Sequence, residues 1–299
     1  MNINWFPGHM AKTRRQIKES LKMVDVIIEI RDARIVSSSK NPEIEDICGN
    51  KSRIILLNKK DLAEDKVTKK WINSLSQDNI KVLAVNSVTG EGLNKIKPTL
   101  NELLKEKHER MKNKGLVKIV DRVMVVGIPN VGKSSFINKM AKNSIAKVGD
   151  RPGVTKSKQW IKTKMDIELM DTPGVLWPKL DSEIVQLNLA FTGAIKDEIM
   201  DIETLALRLV ERLQDKYPER LMKRYKLEAI EENPLNNLDN IGRKRGALIS
   251  KGEIDYNRIS VILLDEFRGG KLGAISLEDP EDIIKDNIEI EEQESSLKE

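Results

Sequence analysis

The chain is poor in residues that build covalent and metal frameworks. Its 299 residues include one cysteine, Cys48, and two histidines, His9 and His108. A single thiol closes no internal disulfide, and together with two distant imidazoles it cannot complete a Cys/His zinc site, so a reducing compartment fits best. Aromatic residues make up only 4% of the chain. No uncharged apolar run approaches the roughly 18 residues of a membrane span, and Met1 to Met10 lacks the apolar core of a secretion signal. The expectation is a cytoplasmic protein that does not enter membranes.

Charge is abundant. Lys and Arg number 52 against 47 Asp and Glu, for a net +5. The last twenty residues hold eight acids and two bases, or −6, so residues 1–279 carry about +11. A basic body of this kind favours an anionic partner, RNA before a membrane surface. With 39% hydrophobic residues over this length, about two domains with a sizeable core are expected.

Short β-branched runs alternate with longer helix-forming stretches in the first two-thirds, the pattern of an α/β chain with a mainly parallel sheet. The runs are Val24 to Ile30, Arg53 to Leu57, Lys81 to Val85, Val123 to Val126 and Ile167 to Met170, giving five strands with room for a sixth. A helix is expected from Leu93 to Met111, then a basic connector, Lys112 to Lys118. Beyond Pro178 the apolar residues fall at helical spacing: Ile202, Leu205, Leu209 and Leu213, then Ile259, Leu263 and Phe267. The predicted division is residues 1–178 as the first domain with a basic N-terminal segment, 179–279 as a helical domain, and 280–299 as an acidic disordered tail.

The strongest motif is Gly127-Ile-Pro-Asn-Val-Gly132-Lys133-Ser134, which matches G-x-x-x-x-G-K-[ST] directly after a predicted strand. Such a loop wraps a phosphate with backbone N–H groups from Asn130, Val131, Gly132, Ser134 and Ser135. Lys133 reaches the β and γ phosphates and the Ser134 hydroxyl binds Mg²⁺. Asp171-Thr-Pro-Gly174 follows a later strand, where Asp171 can approach the metal through water and Gly174 can meet the γ-phosphate. Thr155 lies between the two motifs as a second hydroxyl for Mg²⁺. Asn58-Lys59-Lys60-Asp61 matches N-K-x-D: the carboxylate of Asp61 accepts from guanine N1–H and the 2-amino group, a donor pair that adenine lacks. Asn58 would hold the loop, the Lys59 stem would cover the base, and Asn86-Ser87 would offer a backbone N–H to guanine O6. An ATP-using kinase with the same phosphate loop is disfavoured by this base-reading motif.

The order of the motifs is unusual. Ordinary small GTPases run phosphate loop, switch threonine, DxxG, NKxD and base loop, whereas here the last two come first, a circular permutation of the usual order. A permutation changes connections without changing the packed sheet. The expected fold is therefore α/β: a circularly permuted P-loop GTPase domain with a mainly parallel sheet, followed by a smaller all-helical C-terminal domain.

These residues resemble the circularly permuted GTPases, and among them the ribosome biogenesis GTPase A family. The resemblance rests also on Trp5-Phe-Pro-Gly-His-Met10, Asp32-Ala-Arg34, Gly149-Asp-Arg-Pro-Gly-Val-Thr155, Asp171-Thr-Pro-Gly-Val-Leu-Trp-Pro178 and Tyr217-Pro-Glu-Arg220. It covers nearly the whole chain, the acidic tail excepted. It implies a monomeric GTPase that binds GTP and GDP with Mg²⁺ and docks on rRNA of a precursor of the large (50S) ribosomal subunit in the GTP state. Hydrolysis, slow alone and stimulated by the subunit, then releases it. A GTP-gated RNA-binding scaffold with incidental hydrolysis is the other reading. Val175 stands where Ras-like proteins carry a water-orienting glutamine, and the resemblance offers His9 as its replacement. It also offers Asn130 as a ligand for K⁺. His108, among charged neighbours, reads as a solvated helix face.

Overall fold

The computed structural model describes residues 15, 17–141, 160–172, 182–197 and 201–282. It divides into two compact units, the first comprising Met1–Lys179 with Ser276–Glu299, the second Leu180–Ile275.

The first unit holds, in chain order, a helix at residues 17–21 (α1), β1 (Val26–Asp32), α2 (Pro42–Cys48), β2 (Arg53–Asn58), α3 (Asp65–Leu75) and β3 (Ile80–Ala84). These are followed by α4 (Ile96–Leu103), α5 (Lys105–Asn113), β4 (Asp121–Val126), α6 (Lys133–Met140), β5 (Trp160–Lys162) and β6 (Ile167–Asp171). The sheet order is β3-β2-β1-β4-β6-β5. Every pairing is parallel except β5 with β6. β1 and β2 are buried at every position because helices cover both faces, and the charges that β1 carries are paired, Glu29 with Arg31 and Asp32 with Arg34. One core cluster joins Ile17 and Ile27 to Met124 and Val126, and another joins Val36, Ile55 and Leu57 to Trp71 and Val82. β1 thus stands at the centre of the sheet, pairing with β2 on one side and β4 on the other.

The structure supplies the sixth strand for which the sequence left room, and departs from the sequence reading in two places within this unit. The sixth strand is β5, a three-residue edge strand that runs antiparallel. The long helix expected from Leu93 to Met111 is two helices that meet at Leu104, whose φ and ψ of −107° and 17° leave the helical region. Ser276–Asp279 belongs to the first unit rather than to the helical one, and Pro280 to Asp282, assigned to the tail, are helical.

The second unit is all helical: α7 (Glu183–Phe191), α8 (Ile202–Lys216), α9 (Pro218–Tyr225), α10 (Pro234–Arg245) and α11 (Tyr256–Arg268). Leu205, Leu209 and Leu213 of α8 are fully buried, as are Ile259 and Leu263 of α11, so the helical spacing read in the sequence is the core stripe. Asp201 caps α8 by accepting from Glu203 N–H, and Asn233 caps α10 through Leu235 N–H. Glu266 is only 6% exposed and takes both Arg224 (2.7 Å) and Arg245 (2.6 Å). Burial alone would raise its pKa, yet the hydrogen bonds from Arg224 and Arg245 hold it down at about 2.

Candidate functional site

Five parallel strands deliver their carboxyl ends to one edge of the sheet, the edge where α/β sheets place their ligands. Register fixes the neighbours: Asp32 stands beside Asn58, Leu57 beside Ala84, and Val125 beside Asp171. The segments that follow β2, β3 and β4, which are Asn58–Asp61, Asn86–Ser87 and Gly127–Ser134, therefore leave the sheet together.

The phosphate-type loop is held by its backbone. Gly127 (φ 153°) passes so near β1 that a Cβ would lie 2.6 Å from Ile30 O, and Asn130 (φ 61°) and Gly132 (φ 97°) both take left-handed conformations. Gly132 precedes α6 with no side-chain cap, which leaves the first N–H groups of that helix for an anion. Lys133 Nζ folds back onto Ile128 O at 2.7 Å. Burial pushes the Lys133 pKa down to about 8, and the negative charge of Asp171 opposes this only in part. Ser134 and Ser135 are exposed on the first turn of α6.

Asn58 joins this loop to the segments that follow β2 and β3. Its Nδ2 donates to Val131 O at 2.7 Å while its Oδ1 accepts from Ser87 N–H at 2.9 Å, so one buried amide bridges two loops. A Cβ on Gly132 would run into that Nδ2. Asn86 shapes its own turn by accepting from the N–H groups of Val88 (2.9 Å) and Thr89 (3.0 Å). Ser87 Oγ is buried without a hydrogen-bond partner. Lys59 adopts φ 59° ahead of the short 3-10 turn Lys60–Leu62, in which Asp61 is exposed. Lys60 reaches Glu91 at 2.5 Å.

Asp32 and Arg34, which the sequence offered only as part of the family resemblance and without a role, are partners. Lys59 Nζ lies 3.0 Å from Asp32 Oδ2, and Arg34 grips the same carboxylate through Nε at 3.0 Å and Nη2 at 2.8 Å. Burial would raise the Asp32 pKa, but the cations of Arg34 and Lys59 hold it well below the usual carboxylate range.

Asp171 ends β6 on the same edge. Burial raises its pKa, countered by Lys133 and by Thr172 N–H, and its Oδ1 is buried with no hydrogen-bond partner. An unsatisfied carboxylate oxygen at this strand end and the exposed hydroxyl of Ser134 are each donors of the kind that suits a hydrated divalent cation. Thr172 Oγ1 donates to Val125 O at 2.7 Å, tying this strand end to β4. His9, Thr155 and Gly174 lie outside the described residues. His108, expected on a solvated helix face, instead contacts the fully buried Asp121 at 2.7 Å, alongside Lys97 at 2.8 Å. A carboxylate with no access to water draws in whatever cations its neighbours offer, and Asp121 lies at the start of β4, the strand end away from the loops above.

Among proteins compared with this chain, the family model described as 50S ribosome-binding GTPase matches residues 122–236. That match begins at β4 and leaves out Asn58–Asp61. The ribosome biogenesis GTPase A of Bacillus licheniformis is 52% identical over 95% of this chain and 100% of its own length. The protein of the same name from Thermotoga maritima is 32% identical over 94% of this chain and 96% of its own. The crystal structure of GNP-bound YlqF from T. maritima is 28% identical, covers 90% of this chain and 99% of its own, and superposes with a TM-score of 0.60. The GDP-bound structure of TM YlqF gives 0.62 at 28% identity over 89% of this chain and 100% of its own.

Proposed function

The chain belongs to the ribosome biogenesis GTPase A family, and on that premise we propose that it binds GTP at the carboxyl edge of its sheet and uses hydrolysis to time its release from a precursor of the large (50S) ribosomal subunit. The observation that carries this reading is the Asn58 bridge: residues 58 and 131, distant in sequence, meet in a hydrogen bond of 2.7 Å, as a site that grips both ends of one nucleotide requires.

In this reading Asp61 pairs with the guanine edge, and its charge would be stranded by adenine. The Lys59 stem covers the base, and Asn86 and Ser87 close its far side. Backbone N–H groups of residues 130–135 surround the phosphates. Phosphate oxygens favour the charged form of Lys133 and draw it from Ile128 O. Ser134 and Thr155 would hold Mg²⁺ directly and Asp171 through water; the ion supplies charge neutralisation for phosphoryl transfer. Asn130 would help hold K⁺ at the same phosphates. His9 would orient the attacking water, since Val175 has no polar group to do so. Without a fixed water-orienting group near the loop, hydrolysis is slow until the ribosomal particle supplies the arrangement. The monomer works in the cytoplasm, and its excess of positive charge favours rRNA. Lys12, Arg14, Arg15, Lys18 and Lys22 near the start, and the exposed Arg243, Lys244, Arg258 and Lys271 in the helical unit, are the proposed contacts, whereas Arg245 is engaged by Glu266 and Arg268 by Asp197.

Sedimentation of cell lysate with a non-hydrolysable GTP analogue should carry the protein with large-subunit particles, and GDP should release it. Equal distribution in the two nucleotides would overturn the timer. His9→Ala should abolish particle-stimulated turnover while binding persists; unchanged turnover would leave the scaffold reading. Turnover on the particle should be faster in KCl than in NaCl, and equal rates would remove the K⁺ role.

A further inference from the structure

The segment that follows the helical unit returns to the first unit as a strap over the guanine-side loops. Ser276 Oγ accepts from Glu64 N–H at 3.1 Å, Leu277 N–H donates to Arg34 O at 2.9 Å, and Trp71 Nε1 donates to Glu278 O at 3.2 Å. At its centre the carboxylate of Glu278, 7% exposed, accepts from Ser37 N–H at 2.6 Å, from Ser38 N–H at 3.0 Å and from the Ser38 hydroxyl. Three donors converging on one buried carboxylate make a specific anchor rather than a loose surface contact. Lys70 closes the far end on Asp279 and Glu281, each at 2.9 Å.

The loop that Glu278 holds, residues 33–39, is the one that sets Lys59. Ser39 Oγ accepts from Asp32 N–H at 3.1 Å and donates to Ile35 O at 2.6 Å, while Arg34 forks onto the Asp32 side chain. Ala33 N–H donates to Asn58 O at 2.9 Å, and Asp32 Oδ2 holds Lys59 Nζ. A continuous chain of hydrogen bonds and packed backbone thus runs from Glu278 through Ser37–Ser39 and Asp32 to the lysine proposed to cover the base. We infer that Glu278 is a positioning residue for guanine-nucleotide binding, acting through the 33–39 loop and Asp32 to hold the Lys59 stem over the purine. The inference rests on the GTP-site reading above. It makes the nucleotide pocket depend on a residue that lies beyond the whole helical unit in sequence, so a particle that pulls on the strap loosens the base.

The test is the rate of release of fluorescent GDP and IDP from the full chain by stopped flow. The lysine stem covers the ring without touching N1 or the 2-amino group, so losing its position must affect both nucleotides alike. Glu278→Gln is expected to speed release of both on the order of tenfold with their ratio unchanged. Asp32→Asn should do the same, and the double variant should add little. Wild-type release from Glu278→Gln, or a fall in melting temperature without faster release, would overturn the role of the strap. Asp61→Asn separates this from the reading beneath it: that variant should trade GDP for XDP, and if it does not, the guanine site itself is misassigned whatever Glu278 does. Should Glu278→Gln fail to fold, Ser38→Ala removes a single donor to the same carboxylate and should speed release about threefold; unchanged release there also overturns the inference.

Discussion

Asn58→Ala is the sharpest perturbation of the nucleotide edge, because both ends of that amide are used. The substitution deletes the bonds to Val131 O and from Ser87 N–H, 2.7 and 2.9 Å long. Val131 and Ser87 are each only 2% exposed, so water does not freely replace what is lost. An orphaned buried donor or acceptor costs about 1–3 kcal/mol, and two of them with some relaxation come to roughly 3 kcal/mol. For a unit of this size that is a fall in Tm of about 6–12 °C. The two loops also part locally, so a bound nucleotide must close them again, and the same cost reappears as GDP binding on the order of 100-fold weaker. Calorimetry and titration with fluorescent GDP at fixed Mg²⁺ measure both quantities. Asn58→Asp is the companion variant: it keeps the acceptor for Ser87 but turns an oxygen toward Val131 O, so it should do no better than alanine. Wild-type Tm and affinity in Asn58→Ala would refute the claim that this amide joins the loops.

Lys133, with a pKa near 8 in the free protein, must be charged to meet phosphate, so the complex binds more protons than the free chain and affinity falls as pH rises through that value. GDP should bind roughly tenfold more weakly at pH 9 than at pH 7, and the Lys133→Arg variant, charged throughout, should show a clearly shallower slope; equal slopes would exclude the lysine as the titrating group. Gly132→Ala forces a Cβ onto a residue at φ 97° and into Asn58 Nδ2, so a loss of about 2–4 kcal/mol and of measurable GDP binding is expected by the same assays. In the helical unit, Glu266 has a folded pKa held below its unfolded value, so its contribution is full above about pH 4.5 and is lost as pH falls toward 2. In urea unfolding followed by circular dichroism, the loss of stability at the acid end should be about 3 kcal/mol smaller in Glu266→Gln than in the parent chain.

What was legible in the sequence is what is written contiguously. Gly127 to Ser134 and Asn58 to Asp61 carry their chemistry in eight and four successive residues, and the apolar runs of β1 to β4 and β6 are long enough to mark buried strands. The edge strand β5 has only three residues, too few for a period to register. Asp121 and His108 looked like ordinary charged residues, since nothing local announces that one strand begins with a buried carboxylate and that a helix thirteen residues earlier supplies the imidazole. Glu278 was harder still: its donors lie 240 and 241 residues away, and it sits at the edge of an acidic stretch that composition alone assigns to solvent.

The strand order also dictates how the sheet is assembled during synthesis. β1, β2 and β3 emerge first and can pair at once, but the second edge of β1, every residue of which is buried in the finished fold, waits for β4, whose first residue follows Asp32 by 89 positions (121 − 32). At ordinary elongation rates that is about 5–20 s during which a strand destined for full burial offers an open row of N–H and C=O groups to any passing chain. This order of motifs therefore puts the nascent protein's vulnerable interval in the middle of translation, between the half that carries Asn58–Asp61 and the half that carries Gly127–Ser134.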